Sequence, residues 1–113
     1  MNNCIFCKII AGEIPSKKIF EDENILAFHD INPVAPVHFL VIPKIHIGSL
    51  NDVNGENIEY IAHIFKKIPE IAKELGIAGD GYRVVNNIGK NGRQSVDHLH
   101  FHVVGGRKLT WSF

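Results

Sequence analysis

The chain has 113 residues, enough for one hydrophobic core and too few for two, so the sequence predicts a single domain over residues 1–113. Twelve lysines and arginines balance twelve aspartates and glutamates, which leaves no net basic field to attract a nucleic-acid backbone or an anionic membrane. The sequence has neither an apolar run of about 18 residues nor a basic and apolar leader, which predicts a cytoplasmic protein that binds no nucleic acid and no membrane.

The first part of the chain contains a short apolar segment followed by three segments of strand-forming residues. Residues 5–11 predict a short helix, because Gly12 and Pro15 follow at the positions where helices commonly end. Polar and proline-containing turns separate the next apolar runs, which predict strands at residues 17–20, 25–28 and 37–42.

The second part contains one long amphipathic segment and two further strands. Apolar residues recur at steps of three and four from residue 58 to 75, which is typical of a helix with one buried face. Pro69 lies inside this segment and lacks a backbone N–H, so the helix either kinks there or divides in two. With strands at residues 82–86 and 96–104, the pattern predicts an α+β fold with a mainly antiparallel five-stranded sheet, one long helix and one short helix.

The most informative segment is residues 96–104, in which His98, His100 and His102 alternate with apolar residues. A period of two is that of a strand, so the three imidazoles are expected on one face and the apolar side chains on the other. We expect the apolar face to pack on the long helix, which leaves the histidines to line a cleft. Histidine forms strands less readily than valine or isoleucine, so this alternation indicates function more than stability.

Metal binding and nucleophilic catalysis both suit a row of imidazoles. Histidines two residues apart can share a zinc ion, but the outer pair of a straight strand is about 13 Å apart, so at least one has another role. A neutral imidazole can attack phosphorus while its neighbour protonates the leaving group or holds a phosphate oxygen. The residues alone leave open a zinc-dependent hydrolase and a phosphohistidine enzyme.

Two other motifs point to ligands. The loop at residues 87–95 has two glycines and several hydrogen-bond donors; alone it is typical of a polar loop that binds nothing, but it leads into the histidine row. Cys4 and Cys7 form a C-x-x-C pair, which in an intracellular chain indicates a metal or redox site more than a disulfide. Two thiolates need two further ligands to complete a structural zinc site.

Residues 94–107, QSVDHLHFHVVGGR, resemble the signature of the histidine-triad nucleotide-binding proteins. Residues 4–15, 26–33 and 35–46 resemble the same family in the same order, so the resemblance covers nearly the whole chain. Residues 105–111 are most similar to its phosphoramidase branch, known as HINT.

This resemblance implies a hydrolase that cleaves purine nucleoside phosphoramidates or acyl-nucleotides and releases a nucleoside monophosphate. His100 would be the nucleophile that forms a nucleotidyl-histidine, His102 would contact the phosphate or leaving group, and His38 matches a further histidine beside the site. Asp30 matches the residue that binds the ribose hydroxyls. The family's phosphate-holding residues match Asn87, Gln94 and Ser95, and the apolar wall around its base matches Ile5, Phe6, Ile9, Phe28, Ile31 and Leu40.

Resemblance to bacterial members further implies that His46 and His98 complete a structural zinc site with Cys4 and Cys7. Zinc then lies outside the chemistry. The family's relatives are homodimers that join their sheets into one, and by this resemblance we expect the same here, with the tail around Trp111 lying near the partner's site.

The chain departs from the family at Arg93, where members usually have a small residue. A guanidinium there either binds a substrate phosphate or points into solvent. Two rival functions remain, namely a dinucleoside polyphosphate hydrolase of the same fold and a nucleotide-binding adaptor with little turnover. His29 and His63 are expected to be surface or packing residues.

Overall fold

A computed structural model describes residues 3–112. Its five strands are β1 (Lys18–Glu21), β2 (Ile25–His29), β3 (Val37–Pro43), β4 (Tyr82–Val85) and β5 (Phe101–Gly105). They form one antiparallel sheet in the order β1-β2-β3-β5-β4. This arrangement confirms the predicted fold class.

Two α-helices accompany the sheet, α1 (Ile5–Ile10) and α2 (Ile58–Glu74), and a 3-10 turn at Leu50–Asp52 precedes α2. Helix α1 begins after Cys4, whose sulfur accepts the backbone N–H of Cys7. Within the described part of the chain, no helix has the length and apolar character needed to cross a membrane.

Helix α2 packs on one face of the sheet through an apolar stripe. Its buried residues are Ile61, Ile64, Ile68, Ile71 and Ala72. They share a core with residues of β2 and β3, with Leu99, and with Phe101 and Val103 of β5. The apolar residues between and after the histidines therefore pack on the long helix as expected. Pro69 is exposed and does not divide α2, which runs unbroken over 17 residues.

The opposite face of the sheet carries α1 and a second apolar cluster. This cluster consists of Phe6, Ile9, Leu26, Phe28, Leu40 and Ile42. Successive residues of β2 therefore enter different cores, because side chains alternate across a strand. Covering both faces explains why Ile25, Leu26, Ala27 and Phe28 are all buried.

The predicted strand at residues 96–104 is wrong in its first half, because β5 begins only at Phe101. Before that point the hydrogen bonds leave the sheet ladder: the N–H of Leu99 donates to the carbonyl of Ile47 over 2.7 Å. The His98 carbonyl instead accepts a hydrogen bond from the His100 side chain over 2.8 Å. The three histidines thus do not share one regular strand.

Asp22 joins the turn between β1 and β2 to helix α2. Its Oδ1 accepts the N–H groups of Asn24 and Ile25, and its Oδ2 lies 2.6 Å from Nε2 of His63. Partial burial of Asp22 raises its pKa, but these hydrogen bonds outweigh that effect and lower the pKa to about 2. His63 is therefore a hydrogen-bond partner of Asp22, and the contact is an ion pair when the imidazole is protonated.

These contacts of Asp22 predict a pH-dependent loss of stability. Because the folded pKa of Asp22 is depressed, its contribution is complete above the unfolded value of 3.8 and is lost as the pH falls towards about 2. We expect Asp22→Asn to lower the free energy of unfolding by about 1 kcal/mol at pH 7 and to reduce this acid dependence. Urea unfolding between pH 2 and 7 measures both effects.

Glu23→Gln is the matched control, because Glu23 is an exposed carboxylate in the same turn. An equal loss in both variants would show that net charge, and not the contacts of Asp22, produces the effect.

Candidate functional site

Four histidines lie together on the α1 side of the sheet. His102 of β5 is opposite Leu40 of β3, which is in the α1-side cluster, and this register places His102 on that face. Its ring centroid is 5.2 Å from that of His38 and 5.1 Å from that of His100. His98 follows at the far end and is fully buried.

The tautomer of His100 is fixed by the main chain. Its Nδ1 is 2.8 Å from the carbonyl oxygen of His98, and because a carbonyl only accepts, Nδ1 must carry the hydrogen. Burial lowers the pKa of His100, which favours the neutral ring. The lone pair of neutral His100 is therefore on Nε2.

His102 has the opposite tautomer. The N–H of Val34 donates to Nδ1 of His38 over 3.1 Å, so His38 carries its hydrogen on Nε2. That Nε2–H donates to Nδ1 of His102 over 2.9 Å, which leaves the hydrogen of neutral His102 on Nε2. Burial, with smaller effects of the neighbouring histidines, lowers the pKa of His102 to about 4. One imidazole thus offers a lone pair beside another that offers an N–H.

The same assignment bears on a possible metal site at Asp30, His38 and His102. Their ligand atoms lie within 4.8 Å of one another, and Oδ2 of Asp30 is 3.4 Å from Nε2 of His38. However, the Val34 N–H occupies the lone pair of His38 Nδ1, so Nε2 of His38 bears a hydrogen and cannot ligate. We interpret this group as a hydrogen-bonded chain that orients His102.

A second cluster contains Cys4, Cys7, His46 and His98, and these residues could hold a metal ion. The Sγ–Nδ1 distances are 3.3 Å from Cys4 to His98, 3.3 Å from Cys7 to His46 and 3.5 Å from Cys7 to His98. Tetrahedral zinc with its usual bond lengths separates sulfur and nitrogen ligands by about 3.5 Å, so the spacing fits.

His98 is oriented for this role. Its Nε2 is 2.9 Å from the carbonyl oxygen of Pro43, to which it must donate, so the lone pair of Nδ1 faces the two sulfurs. Burial lowers the pKa of His98 to about 4, which keeps the ring neutral.

Phe6 of α1 connects the two clusters. Its ring packs edge-on against His98 at 5.8 Å and against His100 at 5.1 Å, measured between centroids. The helix that starts at Cys4 therefore also supports the ring of His100.

Two cavities lie at opposite ends of the row of histidines; His38 lines one and His46 lines the other, and neither is lined by His98, His100 or His102. A cavity of about 750 Å³ is bordered by Asp30, Ile31 and His38, and by residues 15–17 across the hairpin. A cavity of about 400 Å³ is bordered by Cys4, Ile5, His46 and Ser95, at the other end of the histidine line. Residues 15–17 were not predicted as site residues from the sequence, although the hydrogen bond from the N–H of His29 to the carbonyl of Lys17 places them beside residue 29.

The residues matched to the base-binding wall fall in three places. Ile31 is 89% exposed and borders the larger cavity, whereas Ile5 borders the smaller one. The other four are buried in the α1-side cluster, namely Phe6, Ile9, Phe28 and Leu40. They form a layer beneath the site, and the structure does not bring Ile5 to the Asp30 cavity.

The polar side chains of residues 86–94 bind main-chain groups both within their own loop and in neighbouring segments. The amide nitrogen of Gln94 donates to the carbonyls of Gly48 and Val96, and Asn87 donates to Gly92. Asn86 was not predicted as a site residue from the sequence. It donates to the carbonyl of His100 over 2.8 Å and so fixes the main chain of that residue. A side chain that supports the histidine from just beyond the end of β4 has no signature in local spacing.

Comparison with known proteins places the chain in a family. Residues 3–110 match the family model described as "Scavenger mRNA decapping enzyme C-term binding". The chain is also 49% identical over 105 residues to an uncharacterized HIT-like protein of Buchnera aphidicola, covering 93% of this chain and 94% of that protein. It belongs to the histidine-triad (HIT) family.

Solved HIT structures agree with the fold. A histidine triad protein from Clostridium difficile is 50% identical, with a TM-score of 0.95 and coverage of 100% of this chain and 98% of that one. A HIT family hydrolase from Legionella pneumophila is also 50% identical, with a TM-score of 0.93 and coverage of 96% and 97%.

Proposed function

We propose that this HIT protein is a single-domain nucleotide-binding hydrolase that cleaves purine nucleoside phosphoramidates or acyl-nucleotides through a nucleotidyl-histidine intermediate. The observation that carries the proposal is the pair of opposite tautomers at His100 and His102. A lone pair is needed to attack phosphorus, and an N–H is needed to stabilise the group that leaves. Similarity to HIT family hydrolases supports the same class of reaction.

In the first step Nε2 of His100 attacks the α-phosphorus, and the bond from phosphorus to the leaving group breaks. The Nε2–H of His102 donates a hydrogen bond to the departing atom. An acyl group departs as a carboxylate, whereas an amine departs with one proton taken from solvent. The nucleotidylated ring of His100 is cationic, and its Nδ1–H remains bound to the His98 carbonyl, which stabilises that charge.

In the second step water attacks phosphorus, and the bond to Nε2 breaks. One proton passes to solvent, His100 returns to its neutral form, and a nucleoside monophosphate is released. Asn86 holds the His100 carbonyl throughout, so the ring is presented in a fixed direction.

The nucleoside fits the cavity beside Asp30. Its volume of about 750 Å³ lies in the range of small-molecule sites. Oδ1 of Asp30 accepts the N–H of Asn32 over 2.7 Å, which fixes the carboxylate as an acceptor for ribose hydroxyls. Ile31 supplies apolar surface for the base, and Ser95 borders the space at the other end of the histidines.

His100→Ala tests the nucleophile. We expect kcat/KM for adenosine 5′-phosphoramidate to fall by roughly 10³-fold or more, while AMP affinity changes by less than about threefold. His63→Ala is the control, because His63 lies on α2. If His100→Ala turns over substrate as fast as the wild type, His100 is not the nucleophile. If the wild type binds AMP but shows no turnover, the protein is a nucleotide-binding adaptor.

We further propose that the metal is zinc and that its role is structural. Two sulfurs and two imidazole nitrogens would supply all four ligands of a tetrahedral zinc ion, which would leave no ligand position for water or substrate. Zinc bound there stabilises the start of α1 against the segment before β5.

Removal of the metal tests this role. We expect about one zinc per chain by elemental analysis, loss of zinc in Cys7→Ser, and a lower melting temperature for both the variant and the chelated wild type. Turnover is expected to persist at temperatures where the zinc-free protein remains folded. Loss of turnover on chelation without unfolding would instead indicate a zinc-dependent hydrolase.

We also propose a homodimer in which two sheets join at β4. Among the described residues, β4 pairs only with β5, so its other edge is available. Val84 of β4 is opposite Val103, which faces α2, so exposed Val84 and exposed Phe65 of α2 lie on the same side of the sheet. An apolar side chain beside an open strand edge is suited to a second copy.

Sedimentation equilibrium tests this assembly. We expect a species of twice the 12.7 kDa chain mass for the wild type and dissociation for Phe65→Glu and Val84→Lys. Leu50→Glu introduces the same charge as Phe65→Glu at another exposed apolar residue and serves as the control. A wild-type monomer at micromolar concentration contradicts the proposal.

A further inference from the structure

Arg93 has a main-chain conformation that L-residues rarely adopt. Its φ is 61°, and within residues 3–112 it is the single non-glycine residue with a positive φ. The Cβ atom makes this region unfavourable for arginine, whereas glycine adopts it without cost. Residues in such a conformation are often found at functional sites, so the side chain of Arg93 is a candidate for a functional role.

The loop around Arg93 is too constrained to relieve this conformation. The N–H of Arg93 donates to the carbonyl of Lys90. The N–H of Gln94 donates to the carbonyl of Gly89, and the N–H of Gly89 donates to the side-chain oxygen of Gln94. At Gly92 a Cβ would clash with the carbonyl oxygen of Ile88, so a side chain there is excluded. The backbone therefore holds Arg93 in place.

The loop carries positive charge without an internal counterion. Arg93 and Lys90 are both exposed, and no hydrogen bond or ion pair within residues 3–112 uses either cationic side-chain group. Residues 87–95 contain no aspartate or glutamate. Both cations are thus available to an anionic ligand.

The position of the loop relates this charge to one end of the site. Asp30 and His38 border the larger cavity, whereas Ser95, two residues after Arg93, borders the smaller cavity. The carbonyl of Gly92 accepts the side chain of Asn87, and the adjacent Asn86 holds the carbonyl of His100. The loop is therefore joined to the nucleophile and lies away from the Asp30 end.

We infer that Arg93 binds a negatively charged leaving group, so that the preferred substrates are nucleotidyl compounds whose leaving group carries a carboxylate or a phosphate. The inference rests on the proposed function, since the ribose occupies the Asp30 end and the phosphorus faces Nε2 of His100. A substrate bound in this way extends its remaining group towards Arg93. A guanidinium offers paired donors that match the oxygens of either anion.

Three adenosine 5′-phosphoramidates test the inference. Their leaving amines are 3-aminopropanoate, 2-aminoethyl phosphate and the neutral methyl ester of 3-aminopropanoate. Dissociation constants are measured by calorimetry in a His100→Ala background, in which binding is observed without turnover. We expect at least one of the anionic compounds to bind about tenfold more tightly than the ester. Comparing the carboxylate with the phosphate identifies which anion is preferred.

The substitutions separate the charge of Arg93 from its conformation. Glycine suits a φ of 61°, so we expect the melting temperature of Arg93→Gly to be no lower than that of the parent. In this variant the anionic compounds and the ester are expected to bind with about equal affinity. Arg93→Lys retains the charge and should keep part of the preference. Lys90→Ala is the matched control, because it removes one cation from the same loop and should change the preference less.

Equal affinities for all three compounds, or equal losses in Arg93→Gly and Lys90→Ala, would overturn the inference. Wild-type kcat/KM values for the same compounds separate it from the proposed function. If the wild type does not turn over these compounds but still binds the anionic ones more tightly, the proposed hydrolase activity is contradicted and the role of Arg93 stands. If the wild type turns them over but shows no preference that depends on Arg93, only the role of Arg93 is contradicted.

Discussion

The site depends on one hydrogen bond, from Nδ1 of His100 to the carbonyl oxygen of His98 over 2.8 Å. This bond decides which nitrogen of His100 has a lone pair, and the proposed attack on phosphorus requires that nitrogen to be Nε2. It forms where the chain lies outside β5, which begins at Phe101. A main-chain carbonyl committed to the sheet ladder would be less available to fix the ring.

Much of the fold follows from the sequence because apolar spacing reports which face of an element is buried. The stripe of α2 and the apolar residues beside the histidines were both predicted, and they meet in one core. The start of β5 was not predictable, because alternation looks the same in a ladder strand and in an extended segment bonded elsewhere. The different burial of Phe6 and Ile5 could not be predicted either, because only the packing of α1 on the sheet decides which of the two side chains is buried.

His98 joins the two parts of the site. Its ring faces the cysteines of the possible metal centre, and its carbonyl orients the nucleophile. Phe6 adds a packing contact to both rings from the helix that starts at Cys4. Burial lowers the pKa of all the imidazoles in the line, and the chain of donors from Val34 through His38 assigns a different hydrogen position to His102. Buried main-chain groups therefore give neighbouring histidines different chemistry.

The configuration at phosphorus tests the central claim most directly. A nucleotidyl-histidine forms and breaks in two displacements, each of which inverts phosphorus, so the reaction as a whole retains configuration. Hydrolysis of an adenosine 5′-phosphoramidothioate of defined configuration in ¹⁸O-labelled water, followed by phosphorus NMR, is expected to show retention. Inversion would mean that water attacks the substrate directly and that His100 forms no bond to phosphorus.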